Sequence, residues 1–194
     1  MTEQQPYEVL AGLPGFELRL YPEHLVARVT VHATLEAARG AAFGYLSGYF
    51  GGLNTLRQER AEPGLPDPRG AAAEQLPTLL TVRIPRTAPV LLQPEAPGDA
   101  CSVAFVLPAF MSAGAVPDPA DPAVEVVQVP EGRGAAAVFS GRWTPRSYRD
   151  RARVLAEAAA AAGLAPLGPP RLALFGPPYR PWFLRPNEVI QSVE

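Results

Sequence analysis

Leu20-Tyr21-Pro22-Glu23 separates two extended runs that lead into a helix, and Gln128-Val129-Pro130-Glu131 does the same 108 positions later. Internal repetition is a stronger indication of fold than a single-residue motif. Because the unit occurs only twice, it predicts a closed domain with a cleft between two related halves rather than a solenoid. Each copy has two strands and then a helix, in the order 16–20, 25–31 and about 34–52, then 124–129, 135–139 and about 144–163.

The remaining segments complete the predicted architecture. Phe16 and Leu18 alternate with Glu17 and Arg19, as expected for a strand with two different faces. The order strand-strand-helix-strand-strand, twice, favours an α+β fold with largely antiparallel pairing. We expect one domain over 1–194, with pseudo-repeats at about 16–108 and 124–194 and an irregular loop at about 54–77, which is rich in proline, glycine and charge. Further strands are predicted at 79–84, 90–92, 102–107, 171–175 and 188–193.

Composition narrows the functional classes. The 194 residues are 47% hydrophobic and 19% charged, which suits a compact domain with a real core. The net charge of −2 gives no electrostatic case for nucleic acid or an anionic membrane as partner. All 17 basic residues are arginine, which excludes a lysine Schiff base or a phosphate-binding lysine. The first residues have neither a basic start nor an apolar signal core, so a cytoplasmic location is expected.

The first helix carries a strip of very small side chains. Gly40 and Gly44 are followed at helical spacing by Ser47 or Gly48. Glycine in a helix interior costs about 1 kcal/mol relative to alanine, so a close approach of some kind should compensate. Three explanations stay open: backbone packing against a strand, a shallow trough for a flat apolar ligand, or an oligomer contact. The strip is bordered by the apolar residues Phe43, Leu46 and Phe50.

Several short motifs, in order and at suitable spacing, resemble one known family. They are Tyr49-Phe50-Gly51-Gly52, Thr87-Ala88-Pro89-Val90, Val103-Ala104-Phe105-Val106-Leu107-Pro108, Phe139-Ser140-Gly141-Arg142-Trp143 and Asn187-Glu188-Val189. Together they are similar to the SOUL haem-binding protein family, over about residues 7–194. The resemblance implies a distorted antiparallel β-barrel made of two repeats and flanked by two long helices. It also implies kinship in fold with regulators of the gyrase-inhibitor type.

The resemblance also implies a ligand and a site. It implies a haem or other tetrapyrrole bound non-covalently in an apolar cleft beside the first helix. The pocket positions of the family correspond to Phe43, Leu46 and Ser47, with Phe50 on the border of the same strip. The basic residue that can neutralise a porphyrin propionate corresponds to Arg180, whose alternative role is that of an ordinary surface arginine. The resulting prediction is a soluble tetrapyrrole buffer or carrier.

The family pattern is altered where iron could be bound. Leu20 occupies the place where some members have a histidine, which excludes axial ligation there. His24 follows a Pro-Glu turn and is expected to be exposed. His32 ends a predicted strand near the start of the first helix and is the candidate axial ligand. Tyr45 and Tyr49 could in principle coordinate ferric haem, but packing in the core or pocket wall suits them better.

An enzymatic function has little support in the sequence. There is no glycine-rich phosphate loop, no nucleophile-elbow motif and no histidine pair at metal-ligand spacing. The single cysteine, Cys101, suits a buried inert thiol. Glu188 is the acid of interest: inside a cleft it could transfer a proton or bind a cation, and otherwise it would hold the last strand in place. The alternative function is therefore a sensor or enzyme acting on another planar or cationic ligand, and a third is an interaction module.

Overall fold

The computed structural model describes residues 3–58, 78–95, 99–175 and 186–194. These described residues form two helices, α1 at Leu35–Gly51 and α2 at Pro145–Ala161. The strands are β1 Glu3–Gln4, β2 Glu8–Leu13, β3 Phe16–Tyr21, β4 His24–His32, β5 Asn54–Gln58, β6 Thr78–Leu80, β7 Thr87–Ala88, β8 Val90–Glu95, β9 Ala100–Val106, β10 Asp118–Pro119, β11 Glu125–Val129, β12 Gly132–Ser140, β13 Arg171–Leu174 and β14 Pro186–Val193.

The main sheet has nine strands in the order β11-β4-β9-β8-β13-β14-β12-β3-β2, with antiparallel neighbours throughout. The β4-β9-β8 group of the first half mirrors the β12-β14-β13 group of the second. The halves exchange one strand each, since β3 pairs with β12 and β11 pairs with β4. Within the described residues the sheet is curled but open at its two edges, so it forms a half-barrel. The predicted α+β fold of two repeats with two flanking helices is confirmed.

Smaller pairings correct two predictions from the sequence. The stretch expected to be irregular at 54–77 begins with β5, which pairs with both β6 and β10; residues 59–77 lie outside the described part of the chain. The strand expected at 79–84 ends after Leu80, and residues 81–86 continue without regular structure. In addition, β1 forms a short parallel pair with β7. The sequence around these elements is rich in proline, and its pattern does not show how short the strands are.

The two helices cover one face of the half-barrel. Thr34 caps α1, and Gly52 ends it in the left-handed conformation with φ of 114°. Thr144 caps α2 in a reciprocal arrangement with Ser147, and Pro145 occupies the first helical position. α1 packs on β4, β8 and β9, while α2 packs on β12 and β14. In the described part of the chain, neither helix is long and apolar enough to cross a membrane.

The sheet therefore has a helix face and an opposite face, and strand alternation assigns side chains to them. On β4, Ala27 and Val29 join the large core beneath the helices, whereas Val26 belongs to a second, smaller cluster on the opposite face. Arg19 and Tyr21 of β3 are also buried on that opposite face. Two distinct surfaces are thus available for function, one beside α1 and one behind the sheet.

Candidate ligand-binding site

The residues expected to line a trough along α1 divide between two environments. Leu46 is 0% exposed and Phe50 is 3% exposed, because both point from α1 into the core. The Phe50 ring packs edge-on against Phe105, with 5.5 Å between ring centroids. Phe43, in contrast, is 45% exposed, and Ser47 is half-buried next to it. The expected trough is corrected accordingly: Leu46 and Phe50 support it from below, and only Phe43 and Ser47 border open space.

The glycines of α1 do not serve to let a strand approach. A Cβ atom added at Gly40 or Gly44 would meet no atom of another described element within 4 Å. At Gly48 it would lie 2.9 Å from the Leu53 side chain, which is itself 65% exposed. Of the three explanations for the strip, backbone packing is therefore wrong for Gly40 and Gly44. The remaining explanations for these two costly glycines are a bound flat ligand and an oligomer contact.

Arg86 gives the Phe43 surface a charged group, and Ser47 has a buried hydroxyl one helical turn further along. The Ser47 Oγ atom is buried and has no hydrogen-bond partner among the described residues. An orphaned buried hydroxyl is unusual, because leaving such a group unpaired costs about 1–3 kcal/mol. The guanidinium carbon of Arg86 lies 5.3 Å from the centroid of the Phe43 ring, within range of a cation–π contact. The half-exposed ring thus has a cation at one side and an unsatisfied hydroxyl one helical turn away.

A cavity of about 450 Å³ opens at the start of the same helix. It lies between the first two turns of α1 and the segment that precedes α2. Arg39 lines it and is one turn before Phe43, so the cavity and the exposed ring follow each other along α1. The volume falls within the ~300–1,000 Å³ typical of small-molecule sites. The lining residues are Glu36, Arg39, Gly141, Arg142, Trp143, Leu174, Phe175 and Asn187.

Asn187 fixes the wall of this cavity opposite α1. Its side chain is buried, and its Nδ2 atom donates a hydrogen bond to the carbonyl oxygen of Gly141 at 2.9 Å. Gly141 has φ of 100°, a left-handed conformation that a residue with a side chain rarely adopts. This turn leads directly into Arg142 and Trp143, which both line the cavity. The cavity wall is therefore built by the fold rather than by a free loop.

Glu188 points the other way, to the face of the sheet opposite the helices. Its two carboxylate oxygens accept hydrogen bonds from the Arg19 guanidinium at 2.9 and 3.1 Å. Glu17 binds the same guanidinium at 2.8 Å, and the Tyr7 ring covers it with its centroid 4.1 Å away. Since Glu188 is buried and already neutralised, it is not placed to receive a cation. Its neighbour in sequence, Asn187, serves the cavity instead.

Small residues on β12 leave room for the side chains that lie across this strand. Arg19 lies on β3 and Glu188 on β14, so the Arg19 side chain has to cross the intervening strand β12. On the face concerned, β12 presents Gly134 and Ala136. A Cβ atom at Gly134 would lie 2.9 Å from the Tyr21 ring and 3.3 Å from Ile190. The flat surface at Gly134 is therefore required for the side chains of β3 to lie across the sheet.

The histidines are poorly placed to bind iron beside α1. His32 is exposed and lies on the sheet face opposite the helices, as its alternation with Val29 and Val31 requires. His24 was expected to be exposed but is partly buried: its Nδ1–H donates to the Pro22 carbonyl at 2.8 Å, and its Nε2 is 2.9 Å from the Gln5 amide nitrogen. Burial lowers the pKa of His24 and favours the neutral ring.

Tyr49 and Cys101, two further potential iron ligands, are held in their protonated forms. Tyr49 donates its hydroxyl hydrogen to the Pro117 carbonyl, and burial raises its pKa to about 12. Burial likewise raises the pKa of the Cys101 thiol to about 11. Tyr45 is exposed on the outer surface of α1. Within the described ranges no three histidine, cysteine, aspartate or glutamate side chains cluster closely enough to hold a metal ion.

One predicted site residue lies outside the described part of the chain, and three residues that line the cavity were not predicted. Arg180, expected to neutralise a propionate, lies outside the described residues. Sequence reasoning missed the cavity-lining residues Arg39, Arg142 and Phe175. The only signal for Arg142 was its position in the Phe139–Trp143 motif, where it was interpreted as part of the opening of the second helix.

The sequence model of the family described as SOUL heme-binding protein matches residues 2–66 and 78–192. The chain belongs to this SOUL family. No curated protein matches this SOUL chain. Solved structures with the same fold include the EcmrR C-terminal domain, at 10% identity and a TM-score of 0.58 over 97% of this chain and 98% of that one. A hydrolase from Listeria innocua has 10% identity and a TM-score of 0.57, covering 95% of this chain and 94% of its own.

These similarities differ in what they establish for the SOUL chain. The family model covers most of the sequence, so membership is direct. The solved structures share only about a tenth of their residues with it, so they show the fold alone. The cryo-EM structure of an EcmrR–DNA complex, at 11% identity and a TM-score of 0.59, is covered only to 56% of its chain, and this chain to 91%. The DNA contacts of that complex are thus not transferred to the SOUL protein.

The surface beside α1 fits part of a haem. Phe43 and the open glycine strip suit a flat apolar ring, the orphaned Ser47 hydroxyl lacks a partner, and Arg142 suits an acidic substituent. Among the described residues it offers no preorganised axial ligand for the iron.

Proposed function

We propose that this protein binds haem or a related tetrapyrrole non-covalently, on the surface formed by α1 and the cavity at its N-terminal end. The observation that carries the proposal is the cavity of about 450 Å³, walled by Trp143 and Phe175, with the half-exposed Phe43 one helical turn beyond its lining residue Arg39. Flat aromatic walls with a few charged groups are typical of sites for amphipathic planar ligands. Membership of the SOUL family supports the same ligand class.

Apolar contact would supply most of the binding free energy. Burial of apolar surface contributes about 25 cal/mol per Å², so a flat ligand that covers several hundred Å² needs no metal bond to reach micromolar affinity. In the absence of a strong axial bond, a bound tetrapyrrole could leave without a bond-breaking step. The role that suits such exchange is that of a buffer or carrier in the cytoplasm.

The proposal can be tested by titrating the protein with haemin and, separately, with metal-free protoporphyrin. Binding is followed by the Soret absorbance and by quenching of tryptophan fluorescence. Since Trp143 lines the cavity, Trp143→Phe should remove the part of the quenching that is due to this site. Failure of both compounds to bind at micromolar concentration would refute the proposed function.

A further inference from the structure

A groove of about 380 Å³ lies beside the other helix, between α2 and the end of strand β12. Its floor is apolar, with Leu155 buried and Ala137 and Ala158 half-buried. Two valines that line it are exposed, Val138 of β12 at 57% and Val154 of α2 at 56%. The groove shares no lining residue with the cavity beside α1, so it is separate from the proposed tetrapyrrole site.

The strand that forms one wall of this groove has an unpaired edge at the same place. β12 pairs with β14 as far as Ser140, but its pairing with β3 ends at Ala136, opposite Glu17. Among the described residues, no strand pairs with 137–140 on the β3 side. Alternate residues of an antiparallel strand direct their N–H and C=O groups to the same side. About two of these four residues therefore present backbone groups that a further strand could bind.

The helix that forms the other wall is basic. Residues 145–155 contain four arginines and one acidic residue, Asp150. Asp150 lines the groove but is paired with Arg146, at 3.9 Å. Arg151 also lines the groove, and its guanidinium carbon lies 4.3 Å from the centroid of the Phe139 ring. Within the described part of the chain Arg151 forms no ion pair, so the charge beside the groove favours an acidic partner.

We propose that this groove binds an extended acidic segment of a partner protein, which adds a strand to β12 along residues 137–140. The backbone of the segment would pair with the open edge, and its side chains would point alternately to the groove and to solvent. An apolar side chain fits between Val138 and Val154, and a carboxylate can pair with Arg151. A helical or folded partner surface has no free backbone groups to offer, so an extended segment is the occupant that uses the edge, the valines and the charge together.

The probe is a short synthetic peptide of alternating valine and glutamate, labelled with fluorescein and titrated with the full chain by fluorescence anisotropy. Two further peptides separate the contributions: one has lysine in place of glutamate, and the other is N-methylated at its backbone amides and cannot donate hydrogen bonds to a strand edge. We expect each to bind about tenfold more weakly than the first peptide. Binding should also slow amide hydrogen exchange of residues 137–140, measured by mass spectrometry.

Variants locate the peptide on the molecule. Val154→Glu should weaken its binding about tenfold and Arg151→Gln about threefold, with urea unfolding curves to establish that both variants fold. The matched controls are Val9→Glu and Arg149→Gln, which should bind the peptide as the unsubstituted protein does. Val9 is 50% exposed on the edge strand β2, and Arg149 is exposed on α2, but neither lines the groove.

Several outcomes would overturn the proposal. One is the absence of saturable binding up to about 1 mM peptide. Another is equal affinity for the N-methylated or the lysine peptide, because neither strand pairing nor charge would then select the occupant. A loss in Val9→Glu as large as that in Val154→Glu would place the peptide on β2 instead. If sedimentation velocity shows a dimer that Val154→Glu dissociates, a second copy of this chain fills the groove rather than a partner segment.

Discussion

Removal of the Phe43 ring is the most direct test of the surface beside α1. An aromatic side chain presents about 200 Å² of surface, and 45% of Phe43 is exposed, so about 90 Å² is available to a ligand. At about 25 cal/mol per Å², complete coverage would contribute about 2 kcal/mol, and coverage of one ring face about 1 kcal/mol. Phe43→Ala should therefore weaken porphyrin binding by about 5- to 30-fold.

The fold should survive this substitution. Phe43 does not belong to the buried core, unlike Leu46 and Phe50 on the same helix. The cost to the free energy of unfolding should therefore be well below the about 3–5 kcal/mol of a buried phenylalanine. Replacement by alanine also improves the helix propensity of α1 slightly. A urea unfolding curve for each variant would establish that any loss of affinity is local.

The assay is a fluorescence titration with metal-free protoporphyrin, which excludes effects of iron ligation. Phe110→Ala is the matched control, since Phe110 is 74% exposed but belongs to the connection between β9 and β10 and does not line the cavity. If Phe43→Ala binds as tightly as the unsubstituted protein, or if Phe110→Ala loses as much affinity, the ligand does not lie on α1 and the reasoning from exposed surface is wrong.

Three further predictions follow from the same structure. The affinity for metal-free protoporphyrin should be within about tenfold of the affinity for haem. Because His32 faces away from α1, His32→Ala should leave the Soret band of the haem complex unchanged. An absorbance titration that shows binding of the iron form alone would contradict the first of these predictions. Glu188→Gln should lower the free energy of unfolding by about 2–3 kcal/mol in a urea titration, because the substitution leaves the buried Arg19 with only the half-exposed Glu17 as an ionic partner. An unchanged free energy of unfolding would mean that the Arg19–Glu188 ion pair is not needed for stability. Because burial raises the pKa of Tyr49 to about 12 and of Cys101 to about 11, stability should be constant up to about pH 9 and fall as the pH rises to about 12. Unfolding curves along that pH range test the sign, and Tyr148, whose pKa burial also raises to about 12, contributes in the same direction.

The fold could be predicted because local sequence patterns mark its strands and turns. The repeated Pro-Glu turns and the alternation of Phe16 and Leu18 with charged neighbours identified strands and their order. The antiparallel pairing followed from that order. What could not be predicted is which strand pairs with which across the two copies, because these pairings join residues that are 80 to 119 positions apart. The partner of Glu188, Arg19, is 169 positions away and belongs to the other half of the sequence.

The site was predictable only in part, for a physical reason that lies in α1. Residues 40–52 contain no charged side chain, so the helix has no polar stripe to mark its solvent side. The sequence therefore identified Phe43, Leu46, Ser47 and Phe50 as one group, although Leu46 and Phe50 lie on the side of the helix that faces the core. The cavity could be identified only from the structure, because its walls come from three separate segments that the sheet brings together.

The exchange of β3 and β11 means that neither copy of the repeat is a self-sufficient module. β3 is translated with the first half but completes the sheet of the second, and β11 does the reverse. A fragment that contained one copy alone would keep its helix and three central strands but would lose the strand that covers its edge, leaving unpaired backbone groups prone to aggregation. The two copies therefore have to fold together as one unit. The strand pairings between them can form only after most of the chain has been synthesised.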